Sequence, residues 1–136
     1  MLPISTPAQL ALFRAMHRSD QRHCLDVVAA LRADGVADRD LLLAGLLHDC
    51  GKGETGLVPR VVYSLCQAYG GWLAAPFRLL PGPAEALVRL ERHPELSARL
   101  AATVGCSAAT VELIRHHVEP REGEPARRLR LADEAN

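Results

Sequence analysis

The sequence has few aromatic residues and no excess of either charge. It holds two Phe, two Tyr and one Trp, so a core must be built mainly from Leu, Ala and Val. Sixteen basic residues balance sixteen acidic ones. A nucleic-acid polymer or an anionic membrane would require a basic patch, so neither is expected as a partner. The arginines near the C-terminus, Arg121 among them, alternate with acidic residues and predict a solvated helix face.

The four cysteines are scattered, at positions 24, 50, 66 and 106, and form no CxxC pair. This excludes the usual zinc-finger and thioredoxin-like patterns. The N-terminus lacks the Lys/Arg-led apolar run of a signal peptide. No uncharged apolar run approaches the ~18 residues that a membrane span needs. We therefore expect a reduced, cytoplasmic protein without a membrane segment.

What is abundant is helix-forming sequence, rich in Ala, Leu, Arg and Glu. The 136 residues fit a single domain, 1–136. Pro and Gly divide the chain into about six to eight helical segments, and no stretch alternates long enough to predict a strand. The predicted fold is an all-α bundle with helices over about 7–17, 20–34, 38–49, 59–70, 84–92, 94–104, 107–118 and 126–135, and a short helical piece over 72–80.

Polar residues before these segments predict where several helices begin. Thr6 or Ser5 precedes Pro7, and Ser19, Asp38 and Ser107 are expected to be N-caps. The glycine-rich stretch 51–56 and the stretch 120–125 are predicted as loops, and Pro81-Gly82-Pro83 as a break between helices.

The dipeptide His48-Asp49 stands at the end of an apolar helix and is followed by Gly51. Adjacent helical side chains point about 100° apart, so they converge on one ion more easily where the helix ends and a glycine lets the backbone turn. Imidazole beside carboxylate suits Mn, Fe or Zn. By itself, the dipeptide is a weak signal, because it often occurs by chance and a surface His-Asp pair is the commoner explanation.

The longer string from Leu46 to Lys52, LLHDCGK, resembles the LLHDxGK signature of the HD-domain superfamily of metal-dependent phosphohydrolases. His23 resembles the first histidine of that family and Asp133 its closing aspartate. The string His93-Pro94-Glu95 and its following residues resemble the HPExGAxL stretch of the HD-GYP branch, and His116-His117 its double histidine. The resemblance extends over five motifs, from His23 to Asp133.

This resemblance implies a metal centre with two divalent ions, Fe, Mn, Ni, Co or Zn. The implied ligands are His23, His48, Asp49, His93, His116, His117 and Asp133, with Asp49 bridging both ions. His117 has two readings, as a direct ligand or as a residue that holds a ligand or reaches substrate. His17, the sixth histidine, matches no motif and is predicted to be a surface residue at a helix end.

The resemblance also implies that Asp49 and Lys52 are the catalytic residues. The Lys52 ammonium is expected to meet an anionic substrate oxygen, although a surface lysine after a glycine turn is the alternative. Arg60 and Arg121 are weaker candidates for the same substrate-binding role. Glu54 and Glu95 are acid/base candidates that no spacing selects.

The chain departs from the HD-GYP branch after His117, where it reads Val-Glu-Pro-Arg-Glu-Gly in place of the Gly-Tyr-Pro segment. A cyclic-dinucleotide hydrolase is therefore not indicated. We expect a phosphohydrolase that acts on a small phosphorylated molecule, a nucleotide or another phosphoester. Two alternatives remain, a di-iron oxygenase of a small diol or phosphonate and a non-catalytic metal-binding sensor or scaffold. Self-association and a partner protein also remain open.

Overall fold

A computed structural model describes residues 1–53, 61–63, 65–66, 69–119 and 122–136. These residues contain α-helices, short 3-10 helices and no strand, which confirms the predicted all-α class. The α-helices are α1 (Pro7–Ala15), α2 (Arg18–Ala33), α3 (Arg39–Leu47), α4 (Pro81–Thr103), α5 (Ala108–Arg115) and α6 (Glu124–Glu134). The 3-10 helices are Gly71–Ala74 and Phe77–Leu79, which together overlap the predicted segment 72–80.

Three helices begin where their capping residues predicted. Thr6 Oγ1 accepts from the Gln9 amide at 3.1 Å, and Pro7 follows as the first helical residue. Asp38 Oδ1 accepts from the Leu41 amide at 2.8 Å, and Ser107 Oγ accepts from the Thr110 amide. Each side chain meets an amide that the first helical turn leaves without a partner.

The cap of α2 was predicted wrongly. His17, not Ser19, is the N-cap, because its Nδ1 accepts from the Ser19 amide. The preceding helix ends at Ala15, so His17 lies at the start of α2 rather than at the end of α1. Gly35 follows α2 with a φ of 80°, a left-handed conformation that glycine adopts without strain, and it ends the helix as predicted.

The predicted break at residues 81–83 is also wrong, as is the division at Pro94. The helix α4 begins at Pro81, shortly after the 3-10 helix Phe77–Leu79, so residues 81–83 form its first turn, and it continues through Pro94. Prolines in the first turn cost nothing, because those amides have no helical acceptor. Pro94 removes only one internal bond. Similarly, α6 begins at Glu124 with Pro125 in its first turn, before the predicted start at Ala126.

Two other boundaries differ from prediction or remain untested. The predicted helix over 107–118 ends at Arg115, where α5 gives way to a turn at His116. Of the predicted segment 59–70, residues 61–63, 65–66 and 69 are helical, whereas Pro59 lies outside the described residues. The same is true of residues 54–56 in the predicted loop and of Pro120 and Arg121.

The short apolar helix α3 lies at the centre of the packing. Every residue from Leu41 to Leu47 is buried, and α3 contacts α2, α5 and α6. A Cβ added at Gly45 would lie 3.0 Å from Leu31 Cδ1, so this glycine lets α2 pack closely against α3. The C-terminal end of α3 therefore lies in the protein interior.

The principal core is aliphatic, as the composition predicted, with Phe13 the aromatic residue in its described part. Leu31, Leu46, Leu47, Ile114 and Leu129 are fully buried in it. Burying apolar surface of this kind is the main favourable term in folding, at roughly 25 cal/mol per Å². None of the described helices has the length and apolar character needed to cross a membrane.

Candidate metal centre

The site begins where α3 ends. His48 is the C-cap of α3, and Asp49 lies in the turn that follows. This turn sits directly on α4: a Cβ at Gly51 would lie 2.6 Å from the Ser97 amide nitrogen and 2.8 Å from the His93 oxygen. Gly51 N also donates to Ser97 Oγ at 2.8 Å. Only glycine allows this contact, so Gly51 holds the turn against the helix that carries His93.

Three histidine rings of the site are held by a backbone carbonyl three residues earlier. A carbonyl can only accept, so Nδ1 donates in each ring. The bonds run from His48 to Gly45 (2.9 Å), from His93 to Leu90 (2.6 Å) and from His117 to Ile114 (2.6 Å). A neutral imidazole that donates from Nδ1 has its lone pair on Nε2. These bonds therefore prepare three Nε2 atoms to accept a metal ion.

A first group of ligand atoms forms where α2, α3 and α6 meet. Asp133 Oδ1 lies 2.8 Å from His23 Nε2 and 3.2 Å from His48 Nε2. One ligand atom from each of these side chains lies within 4.8 Å of the other two. Protein ligands bind transition metals at about 2.0–2.2 Å, so one ion fits between atoms this close.

A second group consists of Asp49, His93 and His117, all buried and with ligand atoms within 4.8 Å of one another. His93 Nε2 lies 3.3 Å from Asp49 Oδ1 and 3.3 Å from His117 Nε2. His93 lies on α4, and His117 lies in the turn that follows α5. We call the two groups together the histidine cluster: His23, His48, Asp49, His93, His117 and Asp133.

Asp49, a member of the second group, also lies near the ligand atoms of the first. Its Oδ1 lies 3.5 Å from His48 Nε2, and its Oδ2 lies 3.9 Å from His23 Nε2. Its carboxylate is therefore near the ligand atoms of both groups. The family resemblance implied a bridging role for this residue.

The cluster leaves polar atoms unsatisfied in a way that a cation would relieve. Asp49 Oδ1 is fully buried without a hydrogen-bond partner in the described part of the chain. Because Nδ1 is the donor in His93 and in His117, their Nε2 lone pairs face each other at 3.3 Å when both rings are neutral. Buried acceptors that face one another are costly. A proton or a metal ion between them removes that cost, so the residues present fit a metal centre.

Burial and charge act on the inner groups in opposite directions. Burial alone would lower the pKa of His48, but Asp49, Cys24 and Asp133 raise it well above its ordinary value. Burial would raise the pKa of Asp49, but His48, His93 and Lys52 hold it well below its ordinary value. The inner part of the cluster therefore stabilises a negative carboxylate beside a positive charge, as a cation-binding site does.

The remaining groups complete this picture. Burial, reinforced by the neighbouring His48 and His93, lowers the pKa of His117 to about 3, so its ring is neutral at physiological pH. The pKa of Asp133 is also lowered: burial opposes the shift, but bonds to His23 and His48 outweigh it. The cluster thus offers a neutral imidazole at His117 and ionised carboxylates at Asp49 and Asp133, the protonation states in which these residues bind metals.

Lys52 lies at the open edge of the cluster and is the single lysine among sixteen basic residues. Its Nζ lies 2.6 Å from Asp49 Oδ2, and its side chain is 20% exposed. His23 and Asp133 share this edge, each with a side chain 25% exposed. In the described part of the chain, these three side chains are the partly exposed members of this region.

Arg89 is a second cationic side chain near this edge, and the sequence analysis did not identify it. A Cβ at Gly53 would lie 2.8 Å from an Arg89 guanidinium nitrogen, so glycine beside Lys52 makes room for this arginine. Arg89 stands four residues before His93 on α4, one helical turn away, and that spacing was the available signal. Arg60, the predicted substrate residue, lies outside the described residues, as do Arg121 and Glu54.

The structure does not bring His116 into the cluster. Its Nε2 lies 3.4 Å from Glu112 Oε2, and the ring lines a separate cavity of about 330 Å³. The prediction that His116 binds the second ion is therefore revised in favour of His117. Helical periodicity explains the outcome, because Thr110, Ile114 and His117 share the buried face whereas the adjacent His116 points away.

We call this second region the acidic cavity: Asp38, Asp40, Glu112, Glu122 and His116 are among its lining residues.

Glu95, an acid/base candidate, lies outside the histidine cluster. The cysteines were given no chemical role in the sequence analysis. Glu95 is paired with Arg99 at 3.0 Å and with Arg115 at 2.9 Å, on the surface. The four cysteines are free thiols. Cys24 Sγ lies 3.7 Å from His48 Nδ1, behind the ring, and burial raises its pKa. Burial raises the pKa of Cys50 to about 12, so this thiol is neutral.

The described helices thus bring together four histidines and two aspartates that could hold metal ions. Comparison with protein families agrees: the profile of the HD domain matches residues 21–135, a range that contains the whole histidine cluster. The chain belongs to the HD domain family. Such domains bind divalent metals and are in general metal-dependent phosphohydrolases. Searches of curated proteins and of solved structures returned no significant match.

Proposed function

We propose that this protein is a metal-dependent phosphohydrolase with a dinuclear centre. His23, His48, Asp49 and Asp133 would hold one divalent ion, and Asp49, His93 and His117 the other. The observation that carries the proposal is the position of Asp49. This buried carboxylate lies between two groups of ligand atoms and has an oxygen without a hydrogen-bond partner in the described residues.

The donor set indicates the kind of metal. Imidazole nitrogens and carboxylate oxygens suit Mn, Fe, Co, Ni and Zn, whereas Ca²⁺ and Mg²⁺ prefer oxygen ligands alone. When bound, a pair of such ions supplies a water of lowered pKa and neutralises the charge that develops on a phosphoryl group.

The chain itself supplies binding and orientation. The Nδ1 bonds to backbone carbonyls fix the rings of His48, His93 and His117 before any metal arrives. The inner face of the cluster is buried, and among the described residues solvent reaches it at the edge formed by His23, Asp133 and Lys52. Substrate is proposed to approach from this side.

Lys52 and Arg89 make that edge selective for anions. The Lys52 ammonium contacts Asp49 Oδ2 at 2.6 Å. We propose that it turns to an equatorial or leaving-group oxygen of the substrate, and that Arg89 binds a second anionic group beside Gly53. Arg60 remains a proposed further contact. Two cations at one edge suit a nucleotide or another small phosphoester.

The test combines metal analysis with a substrate panel. Protein purified without chelator should contain two equivalents of a transition metal after reconstitution with Mn, Fe, Co, Ni or Zn. It should then hydrolyse at least one member of a panel of nucleotides, cyclic nucleotides and simple phosphate esters. Glu112→Gln, a change in the acidic cavity, is the matched control and should retain both properties.

Other outcomes would assign the protein to a different class. Two irons together with O₂ consumption in the presence of a diol or phosphonate would indicate a di-iron oxygenase. Two equivalents of metal without turnover of either substrate class would indicate a sensor or scaffold. Protein that binds no metal in any of these reconstitutions would contradict the metal centre itself.

A further inference from the structure

Pro94 lies inside α4, directly after His93, where a proline removes a helical hydrogen bond. In a regular helix, the amide of residue 94 would donate to the carbonyl of Leu90. That oxygen still has a donor, because His93 Nδ1 lies 2.6 Å from it. His93 is only 2% exposed. The ring therefore takes the place of the amide that proline lacks.

The other two rings of this kind do not need a proline. His48 and His117 donate to carbonyls in the last turns of α3 and α5, which end at Leu47 and Arg115. Carbonyls at a helix end have no donor from an amide four residues further on, although Ile114 O also accepts from the His117 amide at 3.4 Å. His93 lies in the interior of α4, where every carbonyl is normally occupied. Pro94 creates at this one interior position the condition that a helix end provides for the other two.

We propose that Pro94 is a positioning residue for the metal centre. By removing the competing amide, it reserves the Leu90 carbonyl for His93 Nδ1–H. This bond keeps the lone pair on His93 Nε2 and directs that atom towards Asp49 Oδ1 and His117 Nε2, both 3.3 Å away. The role in metal binding rests on the proposed function, whereas the role in the ring's tautomer does not.

A structural role and a positioning role predict opposite effects on stability. Proline is the least favourable residue in a helix interior and alanine the most favourable. Pro94→Ala should therefore leave α4 at least as stable as before. It also introduces an amide hydrogen at residue 94, which can bond to Leu90 O in competition with the His93 ring. We expect a protein that folds well and binds its second metal poorly.

The experiment follows the His93 ring and the metal separately. Nitrogen-15 NMR of histidine-labelled, metal-free protein, at a pH where the ring is neutral, reports which nitrogen carries the hydrogen. In the wild type, His93 should be in the Nδ1–H form. In Pro94→Ala this form should lose population, and competition with a chelator should show one metal equivalent bound 10–100-fold more weakly, the usual cost of removing a bond that orients a ligand. Pro81→Ala, which alters a proline in the first turn of the same helix, is the control and should change neither readout.

A second variant isolates the amide hydrogen. The α-hydroxy acid analogue of alanine, introduced at position 94 by cell-free translation, has alanine's side chain but no N–H. It should restore both the Nδ1–H form and the metal affinity. The proposal is overturned if Pro94→Ala keeps the wild-type tautomer, if it unfolds more readily than the wild type, or if the ester variant behaves as Pro94→Ala does. Should the wild type bind no metal, the proposed function fails, but the tautomer measurement still decides the role of Pro94.

Discussion

Two regions of this protein contain carboxylates and a histidine, and they are built on opposite principles. His117 belongs to the histidine cluster, and the adjacent His116 lines the acidic cavity. In the cluster, Asp49 is buried with an oxygen that lacks a hydrogen-bond partner in the described chain. In the acidic cavity, Asp40 accepts from Ser107 and Thr110, and Glu112 is paired with Arg115 and His116.

The difference shows which feature of an acidic group indicates a metal. Carboxylates that already have donors, at the surface, require no ion. A buried carboxylate with an unpartnered oxygen, facing imidazole lone pairs, is costly until a cation arrives. The number of acidic residues is greater at the cavity, yet the unsatisfied atoms are in the cluster. Each prediction below tests this contrast.

Asp49→Ala should have the largest effect. The residue is proposed to contact both ions, so its loss should remove both metals and lower the hydrolysis rate by ~10³-fold or more, about 4 kcal/mol of transition-state stabilisation. Glu112→Ala, the equivalent change at the acidic cavity, should keep the metal content and the rate. Metal analysis and steady-state kinetics measure both. An Asp49→Ala protein with two equivalents of metal would place the centre elsewhere.

The adjacent histidines provide the next test. His117→Ala should reduce the metal content from two equivalents to one and weaken hydrolysis by at least ~10²-fold, since a direct ligand should cost no less than a residue that only orients one. His116→Ala should leave both unchanged, because its ring contacts Glu112 on the opposite side. If the two variants lose metal equally, the separation between cluster and cavity is wrong.

Lys52→Ala should lower kcat/KM by ~10²-fold, about 2.7 kcal/mol, and leave the metals bound. The lysine is proposed to contact substrate, and its bond to Asp49 Oδ2 is one that an ion can replace. Lys52→Arg keeps the charge and should recover part of the rate. Metal content measured beside the kinetics separates the two roles. Metal loss in Lys52→Ala would make the lysine a structural partner of Asp49.

The cluster should also give the metal-free protein its greatest stability near pH 6.5. Because the pKa of His48 is raised, its stabilising contribution is complete below its ordinary pKa of 6.5 and is lost as pH rises. The pKa of His117 is about 3, so below pH 6.5 only the unfolded chain takes up this proton, and stability falls as pH decreases.

Chemical denaturation across pH 4.5–8.5 measures this profile. Divalent metal binds His48 only in its deprotonated form, so adding metal should move the maximum to higher pH. Metal-free stability that keeps rising above pH 6.5 would contradict the assignment for His48.

The sequence predicted the parts of the molecule that depend on local chemistry. Thr6, Asp38 and Ser107 cap helices because a side-chain oxygen reaches an amide two or three residues away, and such bonds need no tertiary contact. The HD family and the all-α class were likewise predicted from motifs and confirmed. The helix boundary at Pro94 was predicted wrongly. The position of a proline does not reveal whether another donor bonds to the carbonyl that it leaves free, as His93 does for Leu90.

Side-chain direction was harder to predict than position along the chain. His116 and His117 satisfy the same motif, and only the burial of Thr110 and Ile114 on one helix face distinguishes them. Arg89 matches no motif, and its proximity to Lys52 depends on the packing of the turn at Gly53 against α4. Such contacts between distant segments are set by tertiary packing, which a single sequence does not display.

The smallest predicted effect concerns Asp40, the carboxylate that the acidic cavity uses for structure. Asp40 Oδ1 accepts from Ser107 Oγ at 2.6 Å and from Thr110 Oγ1 at 2.8 Å, which ties the first turn of α3 to that of α5. Asp40→Asn weakens these bonds and should cost about 1 kcal/mol of folding free energy, the typical net value of a hydrogen bond, and less with solvent screening. Bonds from Ser107 and Thr110 lower the pKa of Asp40 below its ordinary 3.8, so its contribution is present above that value and is lost as pH falls further. The difference in denaturation midpoint between wild type and Asp40→Asn should therefore be constant from pH 5 to pH 8 and shrink below about pH 4. Metal content should be the same in both proteins. Loss of metal in Asp40→Asn would show that the acidic cavity and the histidine cluster are coupled after all.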